Sequence, residues 1–246
     1  MKKASYSPLV LIALFLMLGG TLLVSTSKLD SGFNLISGLG VFDPVVSNVI
    51  VNSTHRTNTT WDNLTVYWTS TDADGERVIN ITDWRVDRRS IAVVNMPFEG
   101  DGFLNATDYS LYGNNGTPRR GPLWSNTTGK VYGAYTFNGS QYINLSNKLP
   151  DMSKFSIVVW VNYSGVQRTG TIFSDSDGAG ANDLSFDMNA TTIGIRADKA
   201  GTSLNYQFGA AKSGLHLNAS FHHLAWTLSP SRSSIYVDGI LVKTIN

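Results

Sequence analysis

No cysteine occurs in the 246 residues of this chain. That excludes a disulfide framework, a Cys-ligated zinc site and thiol chemistry. Glutamate is almost as scarce, with Glu76 and Glu99 the only two. Exposed helix faces are usually filled with Glu and Lys, so the shortage argues against long helices in the body of the protein. Charged residues make up 15% of the chain, the formal net charge is +1, and no basic block exists. The electrostatic footprint of a nucleic-acid binder is therefore missing. G-x-S-x-G, H-E-x-x-H and phosphate-binding glycine loops are also missing, which removes the commonest motif-borne chemistries.

Asparagine is what the chain has in excess. Of twenty Asn, twelve head an N-x-[ST] triplet: Asn52, Asn58, Asn63, Asn80, Asn105, Asn115, Asn126, Asn138, Asn144, Asn162, Asn189 and Asn218. Ser and Thr together number 49, so random placement would give only about four such acceptors for Asn-linked sugar. All twelve follow an N-terminus built for export. Lys2 and Lys3 precede an uncharged apolar run from Leu9 to Val24, and the small residues Ser25 to Ser27 come next. Residues 1–27 read as a signal peptide. They read equally as an apolar anchoring helix, since the run is only slightly shorter than the ~17–25 residues of a spanning segment. The opening "KKASYSPLV" also resembles the start of archaeal type IV pilin-like subunits. All three readings place the body outside the cytoplasmic membrane. Abundant acceptors without cysteine imply a prokaryotic, archaeal surface glycoprotein.

After a linker at 28–43, short runs of β-rich sequence begin. Residues 44–94 hold "PVVSNVIVN", "DNLTVYWTS", "INITDWRVD" and "SIAVV". In the second run Leu64, Val66 and Trp68 alternate with Thr65, Tyr67 and Thr69, the period of a strand. This segment resembles the first half of an immunoglobulin-like sandwich, with Trp84 as its core aromatic. Residues 95–246 carry further short strands, from "NMPFEG" to "ILVKTI", separated by Gly, Asn and Asp. That spacing predicts an all-β antiparallel sandwich. Asp238-Gly239 between two apolar runs predicts a type I′ hairpin, and Asn138-Gly139 a second tight connection.

Four motifs in order then carry a family resemblance. "MPFEGDGFLNATDYSLYGNNGT", "GAYTFNGSQYINL", "FSIVVWVNY" and "FHHLAWTL" with "IYVDGILV" resemble the laminin-G-like (concanavalin A-like lectin/glucanase) jelly-roll domains. The resemblance implies two antiparallel sheets packed face to face, with Phe155, Ile157, Val159 and Val161 on one side of a core strand. It also implies one further closing strand, which would lie beyond Asn246. Glucanases of this fold use an E-x-D-x-E strand; Glu76 and Glu99 form no such motif, so the expectation is a protein that is not an enzyme.

The resemblance implies Ca²⁺ near the first loop, with Asp108 and Asn114 as candidates. Asp175, Asp177 and Asp183 on the Gly-rich stretch "SDSDGAGAND" supply hard oxygen ligands of the kind Ca²⁺ takes. The same residues equally suit self-capping polar turns. Adjacent His222 and His223 point to opposite faces of a strand and cannot easily converge on zinc; His222 is expected to be a satisfied core histidine. Tyr109, Tyr112, Trp124, Tyr142 and Tyr206 are candidates for stacking on sugar rings. The functional expectation is a non-catalytic glycoprotein of the cell surface or medium that binds glycan or a surface protein. It would have membrane contact through its N-terminus and no nucleic-acid partner. The alternative is a homopolymeric subunit of a surface filament or layer.

Overall fold

The computed structural model describes residues 43–55, 62–100, 104–147, 149, 153–164, 169–175, 183–199, 202–209, 216–217 and 220–246. The leader at 1–27 and all but the last residue of the linker lie outside these. No helix forms among the described residues, and none there is long and apolar enough to cross a membrane. In chain order the strands are β1 (Val45–Ser53), β2 (Leu64–Thr71), β3 (Arg85–Val86), β4 (Arg89–Ser90), β5 (Gly116–Arg119), β6 (Leu123–Ser125), β7 (Ala134–Thr136) and β8 (Tyr142–Leu145). They continue with β9 (Phe155–Asn162), β10 (Gly170–Asp175), β11 (Leu184–Met188), β12 (Thr192–Lys199), β13 (Thr202–Gly209), β14 (Phe221–Ser229), β15 (Arg232–Val237) and β16 (Ile240–Ile245). The chain divides into two compact units, Met1–Val78 and Ile79–Asn246.

In the first unit β1 and β2 pair as an antiparallel hairpin. The register shifts between Ser47 and Ile50, where Asn48 takes a φ of 53°; this is the bulge geometry that Asn tolerates. The strand β2 is present, but its burial does not alternate. Val45, Ile50, Leu64 and Tyr67 are each more than half exposed. The segment 44–94 read as immunoglobulin-like is divided between the two units. Residues 79–94 belong to the second unit, and there they form only the two-residue pair β3–β4. Asp87 and Arg88 turn that pair with φ of 50° and 66°. Trp84 is 38% exposed rather than a core aromatic. "NMPFEG" forms no strand either: Pro97 lacks an N–H and Phe98 adopts a φ of 62°, which an extended ladder cannot accept.

The second unit is built on two antiparallel four-stranded sheets, β10-β11-β12-β13 and β16-β15-β14-β9. They pack face to face as a β-sandwich. Phe186, Met188, Ile193 and Ile195 from one sheet meet Leu224, Trp226, Ile235 and Val237 from the other, joined by Leu217. Phe155, Ile157, Val159 and Val161 line this core along β9, and the residues between them face outward. Strict alternation explains the layer: each strand places one apolar row inside and one row outside. Asp238 and Gly239, with φ of 51° and 80°, close the β15–β16 hairpin with the positive angles of a type I′ turn.

Candidate functional site

Residues 79–95, the strap, share a cleft with the outer face of the β9–β14–β15 sheet. What holds the strap is Asp108, whose side chain is buried. Its Oδ1 accepts the N–H groups of Asn95 at 2.8 Å and Ser110 at 2.9 Å. Its Oδ2 accepts the Ser110 hydroxyl at 2.7 Å and the Asn114 N–H at 2.8 Å. Burial alone would raise the Asp108 pKa. The donors from Asn95, Ser110 and Asn114 outweigh it and hold the carboxyl below its usual range. The Asn114 amide donates to Val93 O at 2.8 Å, and Ser90 Oγ accepts the Leu111 N–H at 2.9 Å. Together these bonds fasten the strap to the loop at 105–115.

Between strap and sheet lies a cleft of about 930 Å³, within the size range of small-ligand sites. Ser156 and Val158 of β9, Thr227 of β14, and Ser234 and Tyr236 of β15 form its floor. All are outward members of alternating strands. Thr82, Asp83, Trp84 and Ile91 form the strap wall, and Lys154 and Arg232 also line the cleft. Asp83 is the polar centre. Its Oδ2 accepts Arg85 Nε at 2.6 Å and Ser90 Oγ at 2.7 Å. The Arg85 bond first, then Ser90, keep this carboxyl below the ordinary value despite burial. The side chain is nine-tenths buried, yet Oδ1 has no hydrogen-bond partner among the described residues. A buried charged acceptor without a donor is costly.

The structure assigns other roles to most residues singled out from the sequence. Asp108 has each oxygen doubly engaged by protein donors, and Asn114 is buried with its amide spent on Val93 and its Oδ1 on Asn147. These two are therefore staples of a loop and leave little for a cation to bind. Asp175 ends β10 half-buried, and Asp183 pairs with Arg196 at 3.3 Å. Asp177 lies outside the described residues. No group of three or more potential metal ligands converges among the described residues. His222 is satisfied at both ring nitrogens, by Asp238 at 2.8 Å and Ser220 at 3.0 Å, while His223 meets the edge of Trp160 across the opposite face.

Of the aromatics proposed for stacking, Tyr109, Tyr112 and Tyr142 are exposed but none lines the cleft. Arg120 already lies over the Tyr142 ring at 5.8 Å. Trp124 is half-buried and donates to Phe98 O at 2.9 Å, and the side chain of Tyr206 is outside the description. Asp83, Trp84 and Tyr236 were missed as a set. Nothing local links Asp83 to Tyr236; the one available signal was the carboxylate-aromatic pair Asp83-Trp84 itself. Among the sugar acceptors, Asn63, Asn80, Asn105, Asn115, Asn126, Asn138, Asn144 and Asn162 are exposed, and Asn52 and Asn189 are half-buried. Asn58 and Asn218 lie outside the described residues.

Residues 137–246 match the laminin-G model of the concanavalin A-like lectin/glucanases superfamily. The match covers β8 to β16 and so takes in both large sheets of the second unit. It begins at Phe137, later than the resemblance drawn from Met96. The strap and the loop that Asp108 organises precede it. Domains of this kind bind carbohydrate or protein. No curated protein and no solved structure matches the chain.

Proposed function

We propose that this protein is a glycosylated cell-surface or secreted binding protein whose cleft, between strap and laminin-G-like domain, takes a glycan without reacting with it. One observation carries the reading: the cleft gathers the Asp83 side chain, the aromatic side chains of Trp84 and Tyr236, and several hydroxyls. Sugars offer what this surface lacks. Their hydroxyls donate to a carboxylate, and the C–H face of a pyranose ring packs on aromatic side chains. Recognition is favoured over hydrolysis because Asp83 is tied to Arg85 and Glu99 accepts the Gly133 N–H at 2.7 Å, so neither is arranged as half of an acid–base pair. Export through residues 1–27 belongs to the same reading.

A glycan array probed with protein made in a host without Asn-linked glycosylation tests it. Binding should be retained in 5 mM EDTA, a concentration chosen at about a millimolar scale typical for stripping weak extracellular Ca²⁺ sites. Asp83→Ala and Trp84→Ala should each weaken binding on the order of tenfold, the effect of one lost charge-assisted bond or one stacking contact. Binding undiminished in both variants, with circular dichroism unchanged, would place any ligand elsewhere.

A further inference from the structure

The cleft wall contains one residue of a sugar-acceptor triplet. Thr82 lines it, and Thr82 is the hydroxyl residue of Asn80-Ile81-Thr82. No other described acceptor has a member of its triplet among the lining residues. Asn80 is exposed and stands three residues before Asp83, so their Cα atoms are at most about 11 Å apart even in a fully extended chain. Asn95 holds this part of the strap in place by donating its amide to Thr82 O at 2.9 Å. A sugar chain attached at Asn80 therefore starts two residues from the cleft wall at Thr82.

We propose that the resident ligand of the cleft is the glycan carried on Asn80 of the same chain, folded back so that it covers Trp84 and Asp83. The inference rests on the glycan-binding reading above and specifies its occupant. Tethering decides the competition. A ligand on a short linker acts at an effective concentration in the millimolar range. A sugar site with a Kd of about 0.1 mM would then be occupied by its own glycan roughly nine-tenths of the time. The attached glycan both shields the cleft from soluble sugars and ties the strap to the sheet, because its contacts exist only in the folded chain.

The test uses the full-length protein isolated from a host that attaches Asn-linked sugar. Its glycans are released, fluorescently labelled, and titrated back as the probe. Wild type, Asn80→Gln and the control Asn126→Gln are compared with wild type made without glycosylation. The expected result has three parts: mass spectrometry finds sugar on Asn80; Asn80→Gln and the unglycosylated protein bind the probe on the order of tenfold more tightly than glycosylated wild type; and Asn126→Gln behaves as wild type. Asn80→Gln should also melt at a lower temperature than Asn126→Gln. An unmodified Asn80, or equal probe binding by glycosylated wild type and Asn80→Gln, overturns the inference. So does a gain in binding that appears only on dilution, which would assign the cleft to the sugar of a second copy. Strong probe binding by the unglycosylated protein, with no effect of Asn80→Gln, would sink this inference while sparing the glycan-binding reading. No binding by the unglycosylated protein would sink both.

Discussion

The indole N–H of Trp226 donates to the hydroxyl of Ser233 at 2.9 Å, deep between the sheets. Trp226 is fully buried and Ser233 almost so. Phe155 meets the same indole edge-on at a centroid distance of 5.1 Å. The largest side chain of the core thus has its single polar atom answered by a residue on the neighbouring strand. Ser233→Ala should destabilise the protein by about 1–3 kcal/mol, the cost of stranding a buried donor. Trp226→Phe removes both the donor and part of the packing. The double variant should therefore lose less than the sum of the two single losses, by roughly 1 kcal/mol. Urea denaturation of the four proteins measures this coupling, and strict additivity would show that the bond contributes nothing.

Asp108 makes acid stability a property of one loop. Its folded-state pKa lies below the unfolded value, which is about 3.9 for an aspartate. A depressed carboxylate stabilises the fold fully above the unfolded pKa, and that stability is lost as pH falls through the folded one. Stability should therefore be flat with respect to Asp108 near neutrality and drop below about pH 4. In Asp108→Asn that acid-side slope should be shallower, and the protein less stable at pH 7. Melting curves from pH 7 to pH 2.5, chosen to bracket the ordinary carboxylate range, check both. A variant with the native slope would show that Asp108 is not responsible.

Asp238 joins a turn to a strand. Its Oδ2 contacts His222 Nδ1 at 2.8 Å, its Oδ1 accepts the His223 N–H at 2.9 Å, and its own N–H donates to His223 O at 2.8 Å. Burial pushes its pKa up, and the bonds from His222 and His223 bring it below the usual range. Asp238→Asn keeps a side-chain acceptor and tolerates the positive φ. Asp238→Ala keeps neither advantage. Alanine should cost about 1–2 kcal/mol more than asparagine by chemical denaturation. Equal losses would mean that the side-chain contacts are idle.

Exposed tyrosines separate the cleft from the surface at large. Tyr142→Ala and Tyr112→Ala remove aromatics outside the cleft and should leave glycan affinity unchanged. Tyr236→Ala removes part of its floor and should weaken binding on the order of tenfold. Isothermal titration against the best array ligand distinguishes them. Loss of binding on removing Tyr142 or Tyr112 would move the site to another face.

The sequence by itself determined the sandwich. Alternation in β9, the apolar rows of β14 and β15, and the Asp238-Gly239 turn are local patterns, and a row of apolar side chains spaced two apart can be buried only as one face of a strand. The strands β1 and β2 and the opposed faces of His222 and His223 were legible for the same reason. Only the tertiary structure decided the cleft. The strap has no long strand of its own, and its course is set by Asp108 reaching Asn95 thirteen residues away and by Asn114 reaching Val93 across twenty-one. Hydrogen bonds over such separations leave no periodic trace. That is why the sequence did not show Asp108 as a clasp or Trp84 as a wall of the cleft that Tyr236 also lines.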